Sequence, residues 1–105
     1  MKADRPEEEV KMKYEIMYIV RPDLEESALK KVESDFEKIL TSNKAKVVSK
    51  KDLGKRELAY EIKKHKSGYY FLINIESSNS DAIKEFDRLA LLSEDIIRHL
   101  IIKED

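Results

Sequence analysis

The stretch MKYEIMYIVRPDLEESALKKVESDFEKIL, residues 12–40, changes its apolar pattern halfway along and so decides the first two elements of the fold. Residues 14–20 alternate with a period of two and are rich in β-branched and aromatic side chains, which predicts a β-strand. Arg21-Pro22-Asp23 interrupt this strand, and Asp23 with Glu26 three residues later is typical of a helical capping box. The following helix is predicted from apolar residues at helical spacing, namely Leu29, Val32, Phe36, Ile39 and Leu40.

The next part of the chain predicts two more strands. Val47 and Val48 open the first of them, Asp52-Leu53-Gly54 suggests a bulge or turn inside it, and it resumes through Ile62. Residues 63–68 are polar and basic and are expected to form a hairpin loop. The stretch YYFLINI, residues 69–75, is the strongest strand signal in the chain.

The last part predicts a second helix and a fourth strand. Residues 77–80 supply turn and cap residues, and residues 96–102 form the final strand. The order is βαββαβ, which predicts an α+β, ferredoxin-like fold with two helices on one face of a four-stranded antiparallel sheet. Strands one and three should lie at the centre of the sheet. Both carry apolar residues on both faces, so the face without helices should be covered by something else. The second helix is predicted from apolar residues that recur at helical spacing, namely Ala82, Ile83, Phe86, Leu89 and Ala90.

Composition indicates one folded domain. The chain has 105 residues, 41% hydrophobic and 41% charged, with two Gly and two Pro, and we assign residues 12–105 to the domain. Residues 1–11, which are mostly charged, are expected to be a flexible N-terminal extension. The absence of Cys excludes a disulfide or thiolate site, and no signal-peptide or membrane-spanning pattern occurs, which favours a cytoplasmic protein without a membrane partner.

Charge is segregated along the chain although the net charge is only −1. Residues 44–66 hold nine basic side chains against three carboxylates, a net charge of +6. The flanking segments are acidic, with −3 over residues 23–43 and −4 over residues 76–95. A compact basic segment that ends in aromatic residues is typical of a protein that binds a phosphate backbone.

Catalysis finds no support in the motifs. The two histidines, His65 and His99, have no motif-level partner for a nucleophile or a metal. No glycine-rich phosphate or dinucleotide motif occurs. The sequence therefore predicts no catalytic, metal or cofactor-binding residue, no cofactor and no small-molecule substrate.

A ten-residue motif, GKRELAYEIK at residues 54–63, resembles the signature of the bacterial small-subunit ribosomal protein six (S6) family. Residues 12–24, 64–70 and 89–102 are similar to the same family in the expected order, although Glu61 stands where the family often has proline. The resemblance implies a structural constituent of the small ribosomal subunit. It would bind the central domain of small-subunit rRNA together with ribosomal protein eighteen (S18), supporting assembly and translation.

Positive side chains near the motif are the candidates for rRNA contacts, since rRNA is bound mainly through its phosphates. Tyrosines of the same region are candidates for base stacking or for partner contacts, and they are Tyr60, Tyr69 and Tyr70. The rRNA candidates are Lys55, Arg56, Lys63, Lys64, His65 and Lys66, followed by Lys13, Arg21, Arg98 and Lys103.

Two alternatives remain open on the sequence. One is an RRM-like module outside the ribosome that binds single-stranded RNA, since Lys66 to Phe71 loosely resembles its stacking motif and Tyr18 would supply the aromatic residue on strand one. The other is a protein-interaction or self-associating module. The two RNA-binding hypotheses differ in charge placement, because an RRM-like protein uses its open sheet face whereas the ribosomal hypothesis places cations at loops and edges.

Overall fold

The computed structural model describes residues 12–78 and 80–104, so the expected N-terminal extension at residues 1–11 lies outside the described residues. The elements follow one another in the predicted βαββαβ order. They are β1 (Met12–Val20), α1 (Glu26–Ser42), β2 (Lys46–Ile62), β3 (His65–Ser77), α2 (Asp81–Leu92) and β4 (Ile96–Glu104).

The four strands form one antiparallel sheet in the order β2-β3-β1-β4. This confirms the predicted ferredoxin-like fold and the central position of β1 and β3. Alternate residues of β1 and β3 point toward the two helices and are buried, while the opposite face of the sheet carries no helix. No helix among the described residues is long and apolar enough to cross a membrane.

Aromatic rings hold the helices on the sheet. Phe36 of α1 and Phe86 of α2 meet at 5.2 Å between ring centroids in an edge-on arrangement. Tyr18 of β1 lies beneath both and stacks on Phe71 of β3 at 5.2 Å. Burying an aromatic side chain of this size contributes about 1.5–3 kcal/mol, and such ring pairs add about 0.5–1.5 kcal/mol each. The helix layer and the sheet therefore both contribute rings to one aromatic cluster.

The capping box predicted for α1 is wrong. The helix begins at Glu26 with Glu25 as its N-cap, and Glu25 forms no side-chain capping hydrogen bond. Asp23 instead accepts a hydrogen bond from the Arg21 guanidinium at 3.2 Å. Because the helix begins three residues after Asp23, that carboxylate lies too far before the first helical turn to cap it.

The loop predicted for residues 63–68 is also wrong in extent. Ile62 pairs directly with His65, so the turn contains only Lys63 and Lys64, and β3 already includes Lys66. Both turn residues have a positive φ, 49° and 68°. Two-residue hairpin turns need this left-handed backbone and usually place Asn or Gly there, so two lysines gave no signal of a tight turn.

The β2–β3 hairpin extends beyond the rest of the sheet. The pairing of β1 with β3 ends at Val20 and Tyr69, so the part of β3 before Tyr69 pairs with β2 alone. The predicted irregularity in β2 is confirmed at Gly54, which has a φ of 82° beside a register shift. We call this free part of the hairpin, residues 55–67, the basic hairpin.

Candidate nucleic-acid interface

A bulge in β2 shapes the basic hairpin. The strand register moves from Glu57 opposite Ser67 to Ile62 opposite His65, so residues 58–61 have no partner in β3. Extra residues in one strand bend it and redirect its side chains. The bulged segment is therefore free to leave the hairpin plane and turn toward the sheet.

The bulge folds over the open face of the sheet. The Arg98 guanidinium on β4 donates a hydrogen bond to the Tyr60 hydroxyl at 3.1 Å. Beneath this contact lies a small cavity of about 150 Å³ whose lining includes Met17, Ile19 and Leu58. Ile19 points to the open face and is nevertheless only 3% exposed. The second cover expected for this face is thus provided in part by the chain's own hairpin.

A larger groove runs along the basic hairpin beside the bulge. Its volume is about 700 Å³, within the range of ligand-binding pockets, roughly 300–1,000 Å³. It brings together four of the predicted site residues, of which three are cations and one is a tyrosine. Two carboxylates, a leucine and a serine complete it. The lining residues are Lys55, Arg56, Glu57, Leu58, Tyr60, Glu61, Lys66 and Ser67.

The remaining predicted cations of the hairpin lie at its tip. Lys63 and Lys64 form the turn and are exposed, and His65 follows them half-buried. Together with the groove they place all six first-rank rRNA candidates on one projecting element. The hairpin carries five Lys or Arg side chains against two carboxylates, which is the charge excess that attracts phosphates.

Of the second-rank candidates, Arg98 contacts the hairpin through its hydrogen bond to Tyr60. The Arg21 guanidinium donates from Nε to Asp95 at 2.8 Å, and this hydrogen bond is the main cause of the raised pKa of Arg21. Arg21 therefore ties the end of β1 to the segment before β4. Lys13 and Lys103 lie at the opposite end of the sheet from the basic hairpin. The rise per residue of a β-strand places them about 20 Å from the hairpin end of β1.

The predicted tyrosines have three different environments. Tyr60 is 64% exposed, whereas Tyr69 packs against the core and Tyr70 lines the small cavity on the open face. The proposed RRM-like role of Tyr18 is wrong, because this side chain is fully buried on the helix side. Among the open-face residues of β1 and β3, Tyr70 is the one aromatic side chain that the described structure provides. The face therefore lacks the paired aromatic residues of an RRM-like stacking platform.

The helix layer is acidic, and one cation of the basic segment is bound to it. Lys50 forms an ion pair with Glu37 of α1 at 2.9 Å, and the hydrogen bond to Glu37 raises the pKa of Lys50. Four residues that line the groove were not predicted from the sequence, and they are Glu57, Leu58, Glu61 and Ser67. Nothing in the local sequence of residues 58–61 indicates the bulge that shapes the groove.

Comparison with known proteins gives two consistent similarities. The family model described as Ribosomal protein S6 matches residues 13–103. A similar solved structure is the crystal structure of 30S ribosomal protein S6 from Thermotoga maritima, with 26% sequence identity and a TM-score of 0.86. The alignment covers 90% of this chain and 88% of that chain.

Proposed function

The chain belongs to the ribosomal protein S6 family, whose members are components of the small ribosomal subunit, and we propose that it binds the central domain of small-subunit rRNA together with S18. In this role it is a non-catalytic, structural protein of the cytoplasmic ribosome. It supports assembly by holding an rRNA junction and a protein partner in a fixed relative arrangement.

The observation that carries the proposal is the clustering of cations on the basic hairpin. The hairpin projects from the sheet, and its lysines and arginine lie along one groove and at the adjoining turn. Because phosphate contacts supply most of the sequence-independent affinity for RNA, a projecting cationic element suits an irregular rRNA junction. Lys63, Lys64 and Lys66 are exposed and take part in none of the ion pairs among the described residues, which leaves their charges available to phosphates.

The surface we propose for S18 is the part of the open sheet face that the hairpin does not cover. On β4, Leu100 and Ile102 are 44% and 47% exposed, and Val48 on β2 is 55% exposed. Leu100 and Ile102 share one edge strand, and Val48 lies on the opposite edge strand. Exposed apolar side chains that cluster on one surface often mark a contact with another protein. A protein partner would remove them from water while leaving the basic hairpin free for RNA.

The RNA part of the proposal is tested by removing three hairpin charges. The variant Lys63→Asn/Lys64→Gly/Lys66→Gln suits the left-handed backbone of the turn, which Ala would not. The matched control, Lys30→Gln/Lys31→Gln/Lys38→Gln, removes three exposed charges from α1. Binding of each variant to a central-domain rRNA fragment, with S18 present, is measured as a function of salt concentration.

We expect the hairpin variant to bind more weakly and its log-log salt slope to fall by up to about one unit for each lost phosphate contact. The α1 control should keep the wild-type slope. Equal slopes for all three proteins would reject the hairpin as the rRNA contact. Sedimentation of the tagged wild-type chain in a lysate provides the second test, because a folded chain that never travels with small subunits would contradict the proposed role itself.

A further inference from the structure

The groove beside the β2 bulge combines three kinds of chemistry that one nucleotide uses. Lys55, Arg56 and Lys66 offer cationic donors, Leu58 and Tyr60 offer apolar and aromatic surface, and the carboxylates of the groove offer acceptors. A phosphate requires the first kind, and the face of an unstacked base requires the second. A groove that only attracted RNA backbone would need neither the exposed ring nor the carboxylates.

The Tyr60 ring is exposed and yet held in place. Its surface is 64% accessible, while its hydroxyl accepts the hydrogen bond from Arg98 on a different strand. A ring fixed before binding loses less conformational freedom when a base stacks on it, so stacking contributes more to affinity. Arg98 thus acts as a positioning residue for Tyr60.

Glu57 and Glu61 both line the groove, and their carboxylates bear on which base edge would fit there. An ionised carboxylate only accepts hydrogen bonds. The Watson–Crick edge of an unpaired guanine presents two adjacent donors, N1–H and the N2 amino group, whereas the edge of uracil presents one donor between two acceptor oxygens. The acceptors of the groove therefore favour guanine and oppose uracil.

We infer that this groove is a site for a single unpaired guanine nucleotide, with its base against Tyr60, its Watson–Crick edge toward Glu57 and Glu61, and its phosphates toward Lys55, Arg56 and Lys66. The inference rests on the proposed binding of small-subunit rRNA and specifies one nucleotide class within it. It assigns to the hairpin a base-specific contact in addition to its phosphate contacts.

The first experiment compares Tyr60→Ala with Tyr60→Phe, using the central-domain rRNA fragment and S18. The Ala variant loses the ring and should bind the fragment roughly 5- to 150-fold more weakly, the range found when one stacked base loses its aromatic partner. The Phe variant loses only the hydroxyl and should remain within a few-fold of wild type. The unfolding midpoint of each variant is the control for folding, and binding is compared at a temperature at which all three proteins are folded.

The second experiment separates base recognition from charge. Glu57→Gln/Glu61→Gln removes two negative charges, so general affinity for short single-stranded oligonucleotides should rise. The preference for an oligonucleotide with one guanine in a uridine background over oligouridine should nevertheless disappear. Kethoxal, which modifies the N1 and N2 positions of unpaired guanine, should show one guanine of the rRNA fragment protected by the wild type and reactive with the Tyr60→Ala variant.

Three other outcomes would overturn the inference, and they show whether the nucleotide site alone or also the proposed function is wrong. If Tyr60→Ala binds rRNA like the wild type while the chain still joins small subunits, the nucleotide site is wrong and the proposed function stands. If Tyr60→Ala loses S18 in a pull-down without RNA, the groove is a protein contact. If the wild type neither binds the fragment nor travels with small subunits, both proposals are wrong.

Discussion

Replacing Tyr18 with Phe should leave the domain as stable as the wild type or more stable, although this side chain lies at the centre of the core. Its ring is fully buried among Phe36, Phe71 and Phe86, and Phe can keep all three ring contacts. The hydroxyl oxygen is buried with no hydrogen-bond partner among the described residues. Burial, and after it the charge of nearby carboxylates, raises the pKa of the Tyr18 hydroxyl, so it stays protonated.

The size of the effect follows from two opposing contributions. A buried polar group without a partner costs about 1–3 kcal/mol, and Tyr18→Phe removes that cost. Deleting the oxygen also leaves a gap about as large as a methyl group, which costs about 1 kcal/mol. The free energy of unfolding should therefore rise by about 0–2 kcal/mol. For a domain of this size, 1 kcal/mol corresponds to a midpoint about 4–8 °C higher.

Urea unfolding of the wild type, Tyr18→Phe and Tyr18→Leu measures the effect. Equal m-values would show that the unfolded ensembles are comparable, so that differences in midpoint report stability. Tyr18→Leu loses the ring pairs and should be less stable by at least about 1 kcal/mol. A loss of more than 1 kcal/mol on replacing Tyr18 with Phe would refute the reasoning, because it would mean that the hydroxyl has a stabilising partner.

Three further changes test the hairpin and the helix surface. Gly68→Ala should lower the free energy of unfolding by about 1–3 kcal/mol in urea, because the added methyl group would clash with a side chain of β1. Lys63→Asn/Lys64→Gly should raise the thermal midpoint, since it removes about 1–2 kcal/mol of left-handed backbone strain. The hydrogen bond from Arg88 lowers the pKa of Glu85, so the stability lost in Arg88→Gln should be measurable at neutral pH and vanish as the pH falls through the lowered pKa of Glu85, below its ordinary 4.5.

The elements of the fold could be predicted because each is encoded by its own residues. The alternation in β1 and the spacing of Val32, Phe36 and Leu40 in α1 report burial directly, since the buried positions of these elements are the predicted ones. The capping box failed for the opposite reason. Asp23 is bonded by Arg21, and Arg21 is itself bonded to Asp95, which lies 74 residues away, so the local sequence shows only part of the arrangement that holds the Asp23 carboxylate.

The candidate site was predictable in its charges and not in its shape. The basic segment identified the hairpin cations, and four predicted residues line one groove. The bulge that forms this groove has no Gly or Pro in residues 58–61 to indicate it. One contact of this bulge joins Tyr60 to Arg98, and these residues are 38 positions apart in the chain. Local patterns carry no information about a contact over that separation, so the groove became visible only in three dimensions.

The placement of charge explains how a chain of net charge −1 can bind RNA. The domain is 53 Å long, several times the Debye length of about 8 Å at physiological ionic strength. A phosphate at the basic hairpin therefore interacts with the hairpin cations, while most carboxylates of α1 and α2 are screened from it. Affinity should follow the charge of the hairpin and not that of the chain. For this reason the hairpin variant and the α1 control, which have the same net charge, should differ in RNA binding, and a chain that responded to net charge alone would bind RNA equally weakly in both.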